Sequence, residues 1–368
     1  MLTRNESNAL RGFAILGIML HNYTHWLGPM VKENEYAFSV HNVRRLMMEL
    51  SSFDGLDFAH LLSFFGHYGV PVFLFLSAYG LVMKYEASQG EDKHDDGALS
   101  FIWKHYKKLF AMMIVGYGAF VMVDYMTPGP RHYTFWNVIG QIGMFSNFYE
   151  DPDHAIWPGP YWYFGLMVQV YIVYRLVFYR GSQSIASLMS ESMGRTVLLL
   201  LMFMSVAFQI VFEPESMALT WYRYNIFGSL LPFGMGILYA RAVKSEGKEF
   251  SLLYKLTAGA SRSTQFSVCL LCAFLILYMS LNFYAWMLVP AVVCAFSVLV
   301  VKLLPQRTLS PMVWVGGISA WIFVVHPIAR KVIIPISRHG DLYAGLILYT
   351  VAAIVLALIF SRINKRGK

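Results

Sequence analysis

The sequence is poor in charged residues and in cysteine. Asp, Glu, Lys and Arg make up 14% of its 368 residues, and only 3 residues are cysteine. Soluble globular proteins carry about 25% charged residues. The shortage of charge therefore excludes a protein built from one or two soluble domains, and it also excludes a disordered chain. The cysteine count excludes a small disulfide scaffold.

Apolar residues are abundant instead. Hydrophobic residues make up 57% of the chain and aromatic residues 16%, and the mean hydropathy is +0.51. This composition indicates an integral membrane protein with aromatic residues at its interfaces. The cysteines Cys269, Cys272 and Cys294 lie inside apolar runs, and no second Cys/His pair lies near the Cys-x-x-Cys spacing in the sequence. We interpret them as buried small hydrophobic residues rather than as a redox or zinc site.

The apolar residues form ten runs, each close to the roughly 20 residues that a helix needs to cross a membrane. These runs cover about residues 9–27, 61–83, 109–126, 161–179, 196–212, 224–240, 266–281, 284–303, 312–329 and 342–361. A shorter run, 134–148, contains Gly140, Gln141 and Asn147 and predicts a short re-entrant or interfacial helix, because exposed polar groups are costly against lipid. The sequence predicts an all-α integral membrane protein with a single domain over residues 1–368.

The basic residues test this count of ten spans. If the N-terminus is cytoplasmic, the inner segments hold 21 of the 29 Lys and Arg residues. The acidic residues lean the other way, with 12 outside and 9 inside. This asymmetry follows the positive-inside rule and predicts that both termini are cytoplasmic. It also accounts for the net charge of +8, so no nucleic-acid partner is expected.

Among the histidines inside predicted spans we select two, His21 and His326, because titratable groups within a span are candidates for function. His21 lies in the first run and His326 in the ninth, at roughly 18 and 21 Å from the inner face by helical rise. Their similar depth suggests that the two histidines share one polar site. The alternative is that each histidine only makes a hydrogen-bonded contact between helices. His21 and His25 share a helix face and could bind a metal. Because no carboxylate or thiolate inside the membrane completes a ligand set, we predict no metal.

Basic residues cluster at the inner ends of the first and third runs: Arg11 and the three lysines Lys104, Lys107 and Lys108. Such residues bind lipid phosphates, and they also suit the phosphates of a nucleotide-bearing donor arriving from the cytoplasm. The residues alone leave these two interpretations open.

Five strings in order along the chain resemble the motifs of acyltransferase family 3, a family of integral membrane O-acyltransferases. Residues 10–16 with Leu20 and His21 resemble the family's first helix, and residues 69–79 resemble its second-helix signature. The lysines of 104–108 stand where the family has an Arg-rich pair. Residues 162–164, with Gln169 and Tyr171, and residues 317–327, ending in His326-Pro327, resemble the later motifs. Each string is weak alone, but together they span most of the chain.

The resemblance implies an enzyme that moves an acyl group, usually acetyl from acetyl-CoA, to a hydroxyl of a saccharide or glycan. It implies that His21 is the catalytic histidine and Arg11 its basic companion. The chain departs from the family in several places: the spacing from Arg11 to His21 is one residue shorter, lysines replace arginines, and Ala78 replaces a glycine. Lysine keeps the charge but loses bidentate phosphate recognition. These differences bear on the substrate more than on the reaction.

The predicted topology and the family resemblance together predict one mechanism. The phosphates of acyl-CoA would bind Arg11, Lys104, Lys107 and Lys108, and the pantetheine arm would carry the thioester to His21, the general base for an acceptor hydroxyl. His326, Ser319 or Tyr163 would orient that base or stabilise the oxyanion. Trp162 would stack on the sugar, although a place in the interfacial aromatic belt is the favoured interpretation of this residue.

The expected partners are acyl-CoA, a carbohydrate or glycan acceptor and the lipid bilayer, with a homodimer left open. The expected location is the bacterial cytoplasmic membrane, crossed many times. The alternative function is a secondary transporter or glycan exporter that uses the intramembrane histidines as proton relays. Such a protein is expected to show inverted repeats and helices broken at the midplane, and the sequence shows neither clearly.

Overall fold

The computed structural model describes residues 1–28, 30–86 and 97–366. The described residues form seventeen α-helices and no β-strand. The first nine are α1 (Arg4–Thr24), α2 (Val40–Ser52), α3 (Asp57–Phe65), α4 (Gly69–Tyr85), α5 (Ala98–Met126), α6 (Phe135–Ile142), α7 (Trp162–Val173), α8 (Glu191–Ala207) and α9 (Met217–Tyr224). The others are α10 (Ile226–Lys244), α11 (Leu252–Gly259), α12 (Arg262–Met279), α13 (Phe283–Trp286), α14 (Val289–Leu303), α15 (Gln306–Gly317), α16 (Ser319–Ser337) and α17 (Leu342–Arg366).

The chain is an all-α membrane protein, as the composition predicts. Within the described residues, 8 helical segments are long and apolar enough to span a membrane. They include α3 and α4, joined by the 3₁₀ turn Gly66–Tyr68. The other two predicted runs are also helices, but α1 begins with a polar turn and α14 has only 15 residues. Each of the ten runs therefore contains helix, and eight of them meet the length and hydropathy of a span.

The predicted ninth span, residues 312–329, is wrong in its boundaries. The helix breaks at Ile318, so α15 ends at Gly317 and α16 begins at Ser319. The break follows the adjacent Gly316 and Gly317, and glycine is a poor helix residue that often marks a helix end. The run is thus shared between two helices. The depth predicted for His326 assumes one continuous helix starting at Met312, so that depth does not hold.

Burial separates a central group of helices from a peripheral one. The helices α4, α10 and α16 are mostly buried, and α1 packs against α3, α4, α15 and α16. By contrast, α12 exposes Phe266, Leu270, Phe274 and Leu277, which is expected of a helix that faces lipid. The three cysteines are buried and free, as interpreted from the sequence. The central group is where a site shielded from lipid can form.

The short run 134–148 folds as the small helix α6 and a following 3₁₀ turn. Phe135 and Trp136 on α6 are exposed, whereas Gln141 and Asn147 are buried. An exposed aromatic face and a buried polar face fit the predicted interfacial or re-entrant helix.

Ion pairs between distant parts of the chain join residues that the charge map places on the same side. On the predicted cytoplasmic side they are Arg180–Glu249, Arg241–Glu86 and Lys302–Glu6, and on the outer side Lys331–Asp124 and His67–Glu33. A wrong sequence of spans would have scattered such pairs. Which of the two sides faces the cytoplasm stays a prediction.

The first helix is held closely against α15. A β-carbon added to Gly12 would clash with the carbonyl oxygen of Met312, and one added to Gly316 would clash with that of Asn8. Close backbone approach of this kind requires small residues. At its start α1 is capped, since the Thr3 side chain accepts from the Glu6 amide and Glu6 accepts from that of Thr3.

Candidate active site

His21 lies one turn before the end of α1 and is buried. Its Nδ1 atom is 2.7 Å from the carbonyl oxygen of Ser63 in α3. A carbonyl oxygen can only accept a hydrogen bond, so Nδ1 carries the hydrogen. In the neutral ring the lone pair is therefore on Nε2, which is the atom able to take a proton.

A carboxylate from the loop after α1 joins two histidines. Oε2 of Glu33 is 3.2 Å from Nε2 of His21 and 2.8 Å from Nδ1 of His67 in the 3₁₀ turn. The two imidazole rings stack, with their centroids 4.6 Å apart and an interplanar angle of 12°. An ionised carboxylate only accepts hydrogen bonds. Glu33 therefore bonds to His21 when Nε2 is protonated, and so stabilises the imidazolium.

The loop that carries Glu33 is fixed on both sides of it. The Ser63 hydroxyl donates to the Val31 carbonyl at 2.6 Å, and the Trp286 indole donates to the carbonyl of Asn34. The Asn34 side chain in turn bonds the backbone of Ser39, the residue before α2. Contacts to α3 and α13 thus position a loop residue that no helix carries.

Two neighbouring carboxyl groups of this loop differ in their protonation. Burial acts to raise the pKa of Glu33, but the facing His67 and His21 rings outweigh it and hold that pKa below its usual value. Burial raises the pKa of Glu35 to about 8; the charge of Glu33 acts in the same direction, and His67 and Arg223 act against it. Near neutral pH the charge therefore lies on Glu33 and the proton on Glu35.

A cavity of about 300 Å³ runs alongside α1. Arg11 and Lys108 line one part of it, and Asn22 and His67 line another. Arg11 and Asn22 are eleven positions apart on one helix, so the cavity covers roughly 17 Å along α1. His21 itself is not among the lining residues; it lies directly behind the ring of His67.

The cavity brings together five of the residues selected from the sequence: Arg11, Lys108, Trp162, Tyr163 and Ser319. The ring of Tyr163 packs edge-on against Phe323 in α16, and the Ser319 hydroxyl donates to the carbonyl of Gly316 at 2.9 Å. Trp162 is almost completely buried, which is more than an interfacial belt residue would be.

Three other selected residues lie elsewhere. Lys104 and Lys107 are exposed on the first turns of α5 and do not line the cavity, and Lys107 lies over the ring of Trp103. His326 is buried, with Nδ1 3.4 Å from the Tyr349 hydroxyl. Within the described residues, no hydrogen bond or ring contact joins His326 to His21. Tyr349 links His326 to α1, because its hydroxyl donates to the Met19 carbonyl.

A third ligand is sought in the sequence only inside the spans, whereas the structure supplies a carboxylate from outside them, because Glu33 folds in from the loop. His21, Glu33 and His67 each offer one ligand atom within 4.8 Å of the others, a set that could hold a metal ion. An ion would lie about 2.0–2.2 Å from each ligand atom, which requires Glu33 and His67 to separate from their hydrogen bond. As it stands, Glu33 lies between two histidine rings and is hydrogen-bonded to His67, and the absence of metal stays a prediction.

Sequence reasoning missed His67, Glu33 and Glu35. His67 falls inside the second apolar run, so the rule that selected His21 as an intramembrane histidine selects it too. The two glutamates carry no such signal, because they lie in a loop whose fold the sequence does not determine locally.

The fold and the site define a membrane protein with a polar centre behind an apolar channel. Residues 4–363 match a family model described as an acyltransferase domain. The chain belongs to acyltransferase family 3, as its motifs suggest, and it is a membrane acyltransferase. No curated protein and no solved structure matches the chain.

Proposed function

We propose that the protein transfers an acetyl group from acetyl-CoA, arriving from the cytoplasm, to a hydroxyl of a saccharide or glycan on the other side. The observation that carries this proposal is the cavity along α1, which extends from the cations Arg11 and Lys108 to His67 and Asn22. An extended pantetheine arm is on the order of 15–20 Å long, which suits the roughly 17 Å between the two ends. Phosphates would bind Arg11 and Lys108.

In this proposal His21 is the general base. Nε2 of His21 takes the proton of the acceptor hydroxyl while the hydroxyl oxygen bonds to the acyl carbon. The carbon–sulfur bond then breaks, and the leaving thiolate of CoA takes the proton from Nε2. The Ser63 carbonyl holds Nδ1 of His21, the place that the acid takes in a catalytic triad, and the nearby charge of Glu33 stabilises the imidazolium formed in the step.

The residues around the cavity have supporting roles in the proposal. Trp162 and Tyr163 would hold the acyl group and the acceptor, and Ser319 would orient them. Phe323 and Phe164 line the same cavity and exclude water, which protects the thioester from hydrolysis. The location we propose is the bacterial cytoplasmic membrane, with both termini in the cytoplasm.

A transporter or glycan exporter is the competing function, and transfer of the acyl group separates the two. Membranes containing the protein are incubated with acetyl-labelled CoA, and incorporation of label into glycan is compared between wild type and His21→Ala. We expect the variant to lose activity by about 10²–10⁴. His41→Ala, an exposed histidine on α2, is the matched control. Full activity of His21→Ala would remove the assignment of the base, and a wild type that neither binds CoA nor transfers label would favour a transporter.

A further inference from the structure

A second cavity, of about 190 Å³, lies on the predicted outer side and shares no lining residue with the first. It is formed by the ends of α1, α5 and α16 and by the loops that follow α5 and precede α7. The residues that give it chemical character are Trp26, Asp124, Trp157, Arg330, Lys331 and Arg338. Nothing in the mechanism proposed above uses them.

The charges of this outer cavity do not cancel. Lys331 is paired with the buried carboxylate of Asp124 at 2.7 Å. In the described part of the chain, no carboxylate is within ion-pair distance of Arg330 or Arg338, and Asp153 acts on Arg330 only at longer range. The lining residues therefore carry two arginine charges without a partner acid. Arginine is the side chain best suited to hold a carboxylate or a phosphate through two parallel hydrogen bonds.

Aromatic rings stand beside these arginines. The rings of Trp26 and Trp157 have centroids 5.2 Å apart at an angle of 58°, and both residues are half-buried. Arg330 lies over the Trp26 ring at 5.1 Å, and Arg338 donates to the Trp26 carbonyl at 3.1 Å. An indole presents an apolar face on which the C–H face of a pyranose ring can pack. Indole faces combined with unpaired arginines suit a sugar that carries a negative charge.

One layer of side chains separates the outer cavity from the catalytic one. Nη1 of Arg330 is 3.2 Å from the carbonyl oxygen of Asn22 and 3.3 Å from its Oδ1. Asn22 lines the catalytic cavity and directly follows His21. A ligand held by Arg330 would therefore be next to Asn22, which lines the end of the first cavity.

We propose that the outer cavity binds an anionic saccharide, a sugar bearing a carboxylate or a phosphate monoester, as the acceptor or the charged part of it. That such a ligand is the acceptor rests on the proposed function, but its binding does not. Binding of the saccharide is measured without any acyl donor, and binding of acetyl-CoA is measured separately. Failure of this proposal can therefore be told apart from failure of the proposed function.

The test uses the full-length protein in detergent or nanodiscs and measures binding by microscale thermophoresis. Four probes separate the chemistries: glucuronate and glucose 1-phosphate carry sugar and charge, glucose has no charge, and glycerol 3-phosphate is the lipid-headgroup analogue without a sugar ring. We expect the two anionic sugars to bind at least about tenfold more tightly than glucose and than glycerol 3-phosphate. Equal binding of glucose overturns the role of the charge, and equal binding of glycerol 3-phosphate overturns the role of the sugar.

Variants locate the site. Arg338→Gln changes an exposed side chain and is expected to weaken glucuronate binding by about tenfold, and Arg330→Gln by at least as much. Because Arg330 is buried and its variant risks misfolding, a cooperative thermal unfolding transition like that of the wild type serves as the check that it is folded. Arg44→Gln, an exposed arginine of α2, is the matched control and should not change binding. If Arg338→Gln and a folded Arg330→Gln both bind the anionic sugars like wild type, the proposal is wrong.

Discussion

Oε2 of Glu33 lies 3.2 Å from Nε2 of His21, although Glu33 belongs to a loop and His21 to a helix inside the membrane. The same oxygen accepts from Nδ1 of His67 at 2.8 Å. One carboxylate therefore stabilises positive charge on either ring. The role of each of the two histidines in the transfer reaction therefore has to be tested, and not that of His21 alone.

Replacement of Glu33 by Gln is expected to lower kcat by about tenfold to a hundredfold, because the imidazolium of His21 loses its counter-charge. The KM for acetyl-CoA should change little, since Glu33 does not line the cavity along α1. Steady-state transfer of labelled acetyl groups checks both values. Glu49→Gln, a half-buried glutamate of the neighbouring α2, is the control.

His67→Gln tests which ring is the base. The Gln amide can still donate to Glu33, so we expect a loss of about tenfold. This is well below the 10²–10⁴ expected when His21, the proposed base, is replaced. The measurement is kcat for the two variants His67→Gln and His21→Gln, assayed together. If His67→Gln loses as much as His21→Gln, the base is the ring that lines the cavity, and His21 is a positioning residue.

Lys108 and Lys107 are adjacent lysines on α5, but only Lys108 lines the cavity. Lys108→Glu should raise the KM for acetyl-CoA by about tenfold, because a phosphate contact becomes a repulsion. Lys107→Glu, with the same change in charge, should raise it by less than about twofold. Equal effects of the two variants would show that the lysines act through the general field of this face and not through a donor site.

Gly316 and Gly317 form a matched pair for the packing of α1 on α15. A β-carbon at Gly316 meets the Asn8 carbonyl, whereas one at Gly317 meets nothing within 4 Å. Gly316→Ala is expected to destabilise the protein by about 1–3 kcal/mol and Gly317→Ala to leave it unchanged or slightly more stable. Thermal unfolding in detergent measures the difference in Tm. A Gly316→Ala variant as stable as Gly317→Ala would contradict the close contact.

Glu35 gives a pH-dependent prediction. Its pKa is raised to about 8 in the folded protein, so between its ordinary value and about 8 it is ionised in the unfolded chain and protonated in the folded one. Ionisation then favours the unfolded state, and stability from this group is lost as pH rises through that range. Glu35→Gln removes the effect. The Tm of Glu35→Gln relative to wild type should rise between pH 5 and 8, by about 1–2 °C for each kcal/mol recovered in a chain of this length. A difference in Tm independent of pH would refute the shift.

A chelator tests whether the His21–Glu33–His67 cluster works with protons or with a metal. We expect EDTA to leave acetyl transfer unchanged, because the hydrogen bond between Glu33 and His67 uses the atoms that an ion would need. Loss of activity that added Zn²⁺ restores would instead assign the three residues as metal ligands.

The sequence predicted the helices well because each apolar run has one stable outcome in lipid, where a helix satisfies its own backbone. It also found Arg11, Lys108, Trp162, Tyr163 and Ser319, which the structure places around one cavity. Helical depth failed for His326, because the break at Ile318 lies between Met312 and that histidine. Glu33 could not be found at all, since its position depends on contacts to α3 and α13 that are distant in sequence.

The contact between Gly12 and Met312 has a consequence for biogenesis. The two residues are three hundred positions apart, yet their backbones touch beside Arg11, which lines one end of the cavity along α1. A nascent chain inserts its helices in order, so α1 must wait in the bilayer until nearly the whole polypeptide has been made. A prematurely terminated chain that lacks α15 also lacks α16, and it would hold His21 without Ser319 and Phe323, which line the cavity along α1.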